Sequence, residues 1–266
     1  MISVSTFLRS GVLMVWGIVL SYFYFSDRIN NYLHPSFHIW TGISGIVFIL
    51  IAFGLVFLPG TQGDDCCDHD HGASAGMGKQ IFGAIVLSVP LVIAATFSPS
   101  QFGASLVENR GLANSVADLP GYTPQAPAAA DAAPASGDQQ DFTIKNEKGQ
   151  IKAESIDLVY AAEDSVMRQD FENKEVEMIG QYLPARTGNA KGDRFNLVRM
   201  YVMCCAADAR PVAVSVQTEQ KDQFPEMGWV KVVGKATFPL EGGRATPVVV
   251  AERVEACDPP EETFVY

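Results

Sequence analysis

Two short segments of this chain concentrate side chains that can bind a metal ion. The first, residues 64–71, reads DDCCDHDH, so eight consecutive side chains are carboxylates, thiols or imidazoles. The second contains two adjacent cysteines and an aspartate three residues later. Thiolates and imidazoles suit zinc or another transition metal, and carboxylates lower the cost of bringing a cation close. The candidate metal ligands are Cys66, Cys67, Asp68, His69, His71, Cys204, Cys205 and Asp208.

Each segment also has an interpretation without a metal. The spacing in the first is not that of a zinc finger, so it predicts transient binding, and the alternative is a soluble acidic loop between two helices. The second is expected at a strand end, where adjacent thiols can point to opposite faces. One thiol would then be buried and the other available to a metal or to Cys257. The alternative is that both cysteines pack in a turn while Asp208 and Arg210 form a surface pair.

The first part of the chain has the composition of a membrane protein. Three apolar runs, at about 10–26, 38–58 and 80–97, contain no Lys, Arg, Asp or Glu. About 20 apolar residues in a helix cross the hydrocarbon core of a bilayer. The first run could be a cleaved signal peptide, but no A-x-A-like site follows it and the aromatic residues 22–25 suit a membrane interface. We therefore predict three transmembrane α-helices in a lipid bilayer.

Charged residues are distributed unevenly along the chain, and their balance excludes nucleic acid as a partner. Of 19 Lys and Arg and 30 Asp and Glu, only four and six lie in residues 1–110. The acidic excess is therefore concentrated in the second part, which is suited to water. Binding of nucleic acid requires clustered Lys and Arg to neutralise phosphates, so we expect no nucleic-acid partner.

The pattern predicts three regions. Residues 1–110 form the membrane domain, residues 111–141 a Pro/Ala-rich linker, and residues 142–266 an acidic β domain. In this last domain a helix is predicted at about 154–169. Five strands follow, at 175–183, 194–204, 211–218, 228–238 and 246–254. Five short strands with glycines at bends favour an OB-like five-stranded barrel with one preceding helix, while a β-sandwich or a meander stays open.

The charges flanking the spans do not determine the orientation. Arg9 and Lys79 would lie on one side and Arg28 and Arg110 on the other, so the positive-inside rule is balanced. Three spans place the two termini on opposite sides. We expect a multi-pass protein of the cell membrane with an extracytoplasmic C-terminal domain, because Arg9 precedes the first span and the linker resembles those of exported proteins.

Several motifs resemble the YcgQ-like family of two-component permease subunits. They are the stretch Tyr24–His38, Arg110-Gly111, Phe195–Arg199, Met203–Pro211 with its CCAADA core, Trp229–Gly234 and Phe264–Tyr266. The resemblance covers nearly the whole chain outside the linker. It implies a transport-associated role together with a multi-span permease of the YcgR/YraQ kind, and it assigns no catalytic residue. The doubled Cys66-Cys67 departs from the usual His/Asp-rich form of that loop.

The leading hypothesis is an accessory subunit of a membrane permease that binds or hands over a transition-metal cation, with no enzymatic activity. Three spans are few for an independent pore, which is why a partner is expected. A competing hypothesis is a thiol-redox membrane protein that uses Cys204 and Cys205, although the chain has no CxxC pair. A third is a structural assembly factor in which the cysteines merely pack.

Overall fold

The chain forms two compact units, residues 1–101 and 102–266, in a computed structural model. The structure describes residues 4–57, 77–97, 103–119, 144–186, 189, 191–219 and 224–266. The first candidate metal cluster, residues 64–71 with Cys66, Cys67, Asp68, His69 and His71, lies outside the described residues.

The described residues of the first unit form three long helices: α1 (Val4–Phe25), α2 (His38–Phe57) and α3 (Met77–Phe97). Each is long and apolar enough to cross a membrane. Most of their large apolar side chains are exposed to the surroundings of the unit, as is expected of helices that face lipid. The prediction of three helices with the length and composition of membrane spans is confirmed.

Helices α1 and α2 pack closely because small residues face each other. A Cβ atom added to Gly17 would lie 2.8 Å from the carbonyl oxygen of Gly45, so only glycine permits this approach. Farther along, the Ser10 hydroxyl donates a 2.8 Å hydrogen bond to the Ala52 carbonyl. Near the other end, Arg28 donates to the Ala95 carbonyl in the last turn of α3, at 2.9 Å. This carbonyl is one of those that a helix end leaves without an internal partner.

The second unit is built on five long strands: β2 (Glu175–Pro184), β3 (Arg194–Tyr201), β4 (Arg210–Gln217), β5 (Trp229–Thr237) and β8 (Val248–Ala256). In the described part of this unit, four two-residue strands accompany them: β1 (Ile151–Lys152), β6 (Leu240–Glu241), β7 (Arg244–Ala245) and β9 (Phe264–Val265). The five predicted strands are confirmed, but β3 ends at Tyr201 and does not reach the cysteines.

The five long strands close into a barrel. Their order is β2-β5-β8-β4-β3, and β3 pairs again with β2. All these pairs are antiparallel except β4 with β8, which is parallel. Numbered along the chain, the strands follow the order 1-4-5-3-2-1, which is the connectivity of an OB barrel. The predicted OB-like fold is therefore confirmed.

Two glycines permit the tight curvature of this barrel. At Gly234 the pairing of β5 with β8 shifts by one residue, and a Cβ there would lie 2.2 Å from the Val250 carbonyl oxygen. At Gly180 a Cβ would lie 2.8 Å from the Leu197 side chain. Strands bend sharply where a bulge or a missing side chain relieves such crowding.

The predicted helix at 154–169 is divided into α5 (Ser155–Glu163) and α6 (Ser165–Phe171). The division occurs because the Asp164 side chain accepts hydrogen bonds from the N–H groups of Val166 and Met167, which caps a new helix. Leu158 on α5 and Phe171 on α6 are buried in the same core cluster as the inner side chains of the barrel.

A segment that precedes the Pro/Ala-rich stretch also belongs to this unit. Helix α4 (Ala104–Arg110) and the residues after it contact the barrel. Ala113 bridges to β4, with its N–H donating to Pro211 at 2.8 Å and its carbonyl accepting from Ala213 at 2.9 Å. Val107 and Val116 are buried in two clusters that include barrel side chains. The stretch 120–143 thus connects two segments of one folded unit.

Candidate metal-binding site

The two adjacent cysteines lie in the turn that joins β3 to β4. Val202 is buried, whereas Cys204 is exposed and Cys205 is half-buried. The two Sγ atoms are 3.7 Å apart, so the thiols lie on the same side and do not point to opposite faces as expected. The expectation was wrong because strand alternation stops at Tyr201, and both cysteines follow in a turn.

Asp208 organises this turn. Its Oδ1 accepts a hydrogen bond from the Met203 N–H at 3.0 Å. Its Oδ2 accepts from the N–H groups of Cys204 and Cys205, at 2.9 and 3.3 Å. The main chain closes the same turn through the Asp208 N–H, which donates to the Cys205 carbonyl at 3.0 Å. Asp208 is therefore not the surface partner of Arg210, because its carboxylate is occupied within the loop.

The same carboxylate holds a proton on one thiol. Cys204 Sγ donates to Asp208 Oδ2 at 2.8 Å. This bond, followed by the contact with Cys205, raises the pKa of Cys204 to about 12. Burial opposes ionisation of Asp208, but the bonds from the thiol and from three main-chain N–H groups outweigh it and lower the pKa of Asp208.

These three residues form a compact ligand set. The two sulfur atoms and a carboxylate oxygen all lie within 4.8 Å of one another, and no other group of three among the described residues meets this condition. Cys257 is a free thiol just beyond β8 and is not in the group. The structure thus brings together Cys204, Cys205 and Asp208.

The distances fit a tetrahedral thiolate site. Two sulfur ligands at a Zn–S distance of about 2.3 Å are about 3.8 Å apart in a tetrahedron. The separation of 3.7 Å between the sulfur atoms of Cys204 and Cys205 matches this value. The distance from Cys204 Sγ to Asp208 Oδ2 is shorter, at 2.8 Å, and these two atoms are hydrogen-bonded to each other. A cation would displace the proton and open this distance. Three ligands at a partly exposed turn leave a fourth coordination position for water or another donor.

Arg110, which is not part of the turn, stabilises it by hydrogen bonds. Its guanidinium donates to the carbonyls of Ala206 and Ala209, in the second half of the turn. Arg210 in return donates to the Arg110 carbonyl at 3.1 Å. Arg110 is a positioning residue that sequence reasoning did not connect with the cysteines. Arg110 and the cysteines are almost one hundred residues apart in the sequence, and no rule of sequence spacing links residues at that separation.

Asp208→Asn is expected to accelerate alkylation of Cys204 at least about tenfold at pH 8 in metal-free protein. The substitution removes the negative charge that keeps the proton on the thiol, so the pKa of Cys204 falls and more thiolate is present. Site-resolved mass spectrometry after iodoacetamide treatment measures the rate. The matched control is Asp170→Asn, an exposed aspartate on α6, which should leave the rate unchanged. Equal rates in both variants would contradict the assigned hydrogen bond.

The fold and the β3–β4 turn define a class of protein. Its members have three helices able to span a membrane, followed by an OB barrel that carries a thiol–carboxylate cluster. The chain matches the DUF1980 N-terminal domain over residues 8–113 and the DUF1980 C-terminal domain over residues 136–266. It therefore belongs to the DUF1980 family. No curated protein matches the chain. The narrower assignment to YcgQ-like permease subunits stays a prediction.

Proposed function

We propose that this protein is an accessory subunit of a membrane permease and that it receives and hands over a transition-metal cation at Cys204, Cys205 and Asp208. The observation that supports this function is the ligand set in the β3–β4 turn, where two sulfur atoms and a carboxylate are already within coordinating distance. On this proposal the cation is cargo, and the chain performs no covalent chemistry.

The accessibility of the turn favours a site that transfers a cation over a structural metal site. Structural zinc sites have four protein ligands and are closed, whereas sites that exchange a ligand keep an open position. Here Cys204 is exposed and the described residues supply three ligands. A donor from a partner protein then completes the coordination and takes the cation.

The thiol-redox alternative has less support. Redox-active thiols have a lowered pKa, because the thiolate is the attacking species. The bond to Asp208 raises the pKa of Cys204 instead. The same proton can be displaced by a cation, whose charge stabilises both thiolates at once.

The double variant Cys204→Ser, Cys205→Ser is expected to weaken Zn²⁺ binding at least about a hundredfold, because serine hydroxyls replace both soft ligands. Binding is measured on the full-length protein in detergent, by competition with a chromophoric chelator and by metal analysis after dialysis. The experiment is done with Cys66, Cys67, His69 and His71 already replaced, so that the first cluster does not contribute.

Cys257→Ser is the matched control, because this thiol lies outside the ligand group, and it should leave binding unchanged. An unaltered affinity and stoichiometry in the double variant would exclude the turn as the metal site. The permease part of the proposal is tested separately, by co-purification of the chain with a multi-span membrane protein. Reporter fusions at both termini test the proposed extracytoplasmic position of the barrel.

A further inference from the structure

A polar cavity lies on the outer face of the barrel, away from the cysteine turn along β3 and β4. Its volume is about 240 Å³. It is lined by Arg194 and Asn196 of β3, by Ser215 of β4 and by Asn114 from the segment that follows α4. Glu241 and Thr246 belong to the connection between β5 and β8. The cavity is thus bounded by the second and third barrel strands and by the connection between the fourth and fifth.

Four of the lining side chains have hydrogen-bonding capacity that no described residue of the protein uses. Asn114, Asn196, Ser215 and Thr246 each carry a group that both donates and accepts. Within the described part of the chain, none of these four side chains has a hydrogen-bond partner. Asn196, Ser215 and Thr246 are only half-exposed, so the cavity holds partly desolvated polar groups that a ligand can satisfy.

The charges at the cavity cancel. Arg194 donates to Glu241 at 2.8 Å, and its side chain is 24% exposed. An ion pair of this kind gives the cavity no net charge to attract an anion or a cation. The groups that remain are neutral amides and hydroxyls, and they match a neutral ligand rich in hydroxyl groups.

We propose that this cavity binds a sugar unit of a neutral oligosaccharide. OB barrels bind oligonucleotides and oligosaccharides on the face of their second and third strands, flanked by the loops that follow strands one and four. This cavity occupies that face. The acidic charge of the chain excludes the nucleic acid, since phosphates need Lys and Arg. The cavity is smaller than the roughly 300–1,000 Å³ of sites for drug-sized ligands, so it accommodates one unit and leaves the rest of the glycan in solvent.

The proposal is tested on the full-length protein in lipid nanodiscs. The probes are cellotetraose, maltotetraose and a β-1,4-linked tetramer of N-acetylglucosamine, with a neutral tetra-alanine peptide and a thymidine tetranucleotide for comparison. Saturation-transfer NMR is expected to show saturable binding of at least one sugar and none of the other two probes. Asn196→Ala combined with Ser215→Ala should weaken the sugar at least about tenfold, because two of the four neutral partners are lost.

Gln169→Ala, an exposed position on α6 outside the cavity, is the matched control and should bind as the unaltered chain does. Asn114 lies in a loop, so the single variant Asn114→Ala gives a second measurement that does not depend on strand stability. This variant should also weaken sugar binding. The proposal is overturned if no sugar binds, if the peptide or the nucleotide binds more tightly, or if the cavity variants bind like the control.

Discussion

Arg199→Met is expected to lower the free energy of unfolding of the barrel by about 3 kcal/mol, which corresponds to a fall of about 6–12 °C in the thermal midpoint of a unit of this size. The guanidinium of Arg199 is buried at one end of the barrel, with 2% of the residue exposed. It donates to the main-chain carbonyls of Glu262 and Phe264 at 2.8 and 3.2 Å, and to that of Ile179 at 3.1 Å. Methionine preserves much of the volume but provides no donor for these carbonyls.

The effect extends to the C-terminus because Arg199 holds the last strand in place. β9 pairs with the end of β3 through Met200 and Phe264, and the Val202 N–H donates to Val265 at 3.0 Å. Loss of the guanidinium is therefore expected to raise amide hydrogen exchange at Val202 and along β9 before the barrel unfolds.

Burial itself works against the charge of Arg199. Burial lowers the pKa of Arg199 and raises the pKa of Glu154, whose carboxylate lies 3.3 Å away, and in each case the partner's charge counteracts the shift. The stabilisation thus comes mainly from the carbonyl hydrogen bonds and not from the ion pair.

The measurement is a thermal melt of the full-length protein in detergent, followed by near-UV circular dichroism and hydrogen exchange. Arg253→Met on β8 is the matched control, since Arg253 is half-exposed and its nearest carboxylate, that of Glu255, is 3.6 Å away. Exposed pairs of this kind contribute little, so this variant should change stability by less than about 0.5 kcal/mol. If Arg199→Met and Arg253→Met had the same thermal midpoint, the role assigned to Arg199 would be wrong.

Cleavage within residues 120–143 is expected to leave the barrel attached, through residues 104–119, to the unit that contains the three long helices. A site for a sequence-specific protease is inserted between Ala129 and Ala130, and the protein is cut in nanodiscs. The larger C-terminal fragment should then co-elute with the disc, although no peptide bond joins them. The fragment should remain because residues 104–119 are packed against it.

Several contacts support this retention. The buried side chains of Val107, Val116 and Leu119 pack with the barrel or with α5, and each contributes about 1.5–3 kcal/mol when fully buried. Arg186 donates to Glu108 at 2.6 Å, and Ser115 donates to Glu163 at 2.6 Å. The two pieces thus have an apolar interface with polar bonds around it.

The control is a protease site inserted at residue 101, before α4. Cutting there should release residues 102–266 from the disc, because the cut then precedes the packed segment. The double variant Val116→Asp, Leu119→Asp should release the C-terminal fragment from the disc after the cut at residue 129. The reason is that both carboxylates would be buried in an apolar cluster. Release of the barrel after cutting at 129 without these substitutions would show that residues 104–119 do not hold it.

The sequence predicts much of the fold because hydrophobic periodicity is a local signal. The three apolar runs lack charges over the length of a bilayer, and the alternation at Val176/Met178 and Val230/Val232 marks two barrel strands. The sequence also predicts glycines at strand bends, and at Gly180 and Gly234 the structure shows why a side chain would clash.

The geometry of the candidate site could not be predicted in the same way. The adjacency of Cys204 and Cys205 and the nearby Asp208 were visible in the sequence. Their orientation depends on where β3 ends, and strand ends are set by tertiary pairing with β4 and β9. Arg110 is positioned by packing between distant segments, which leaves no periodic signal in the chain.

The closed barrel also has a consequence for solubility. A sheet that ends in a long free strand offers unpaired N–H and C=O groups to any neighbouring chain and can start aggregation. Here all five long strands are paired on both sides, and the strands added at the margins, β1 and β9, are two residues long. Many copies at a high local concentration can therefore remain separate.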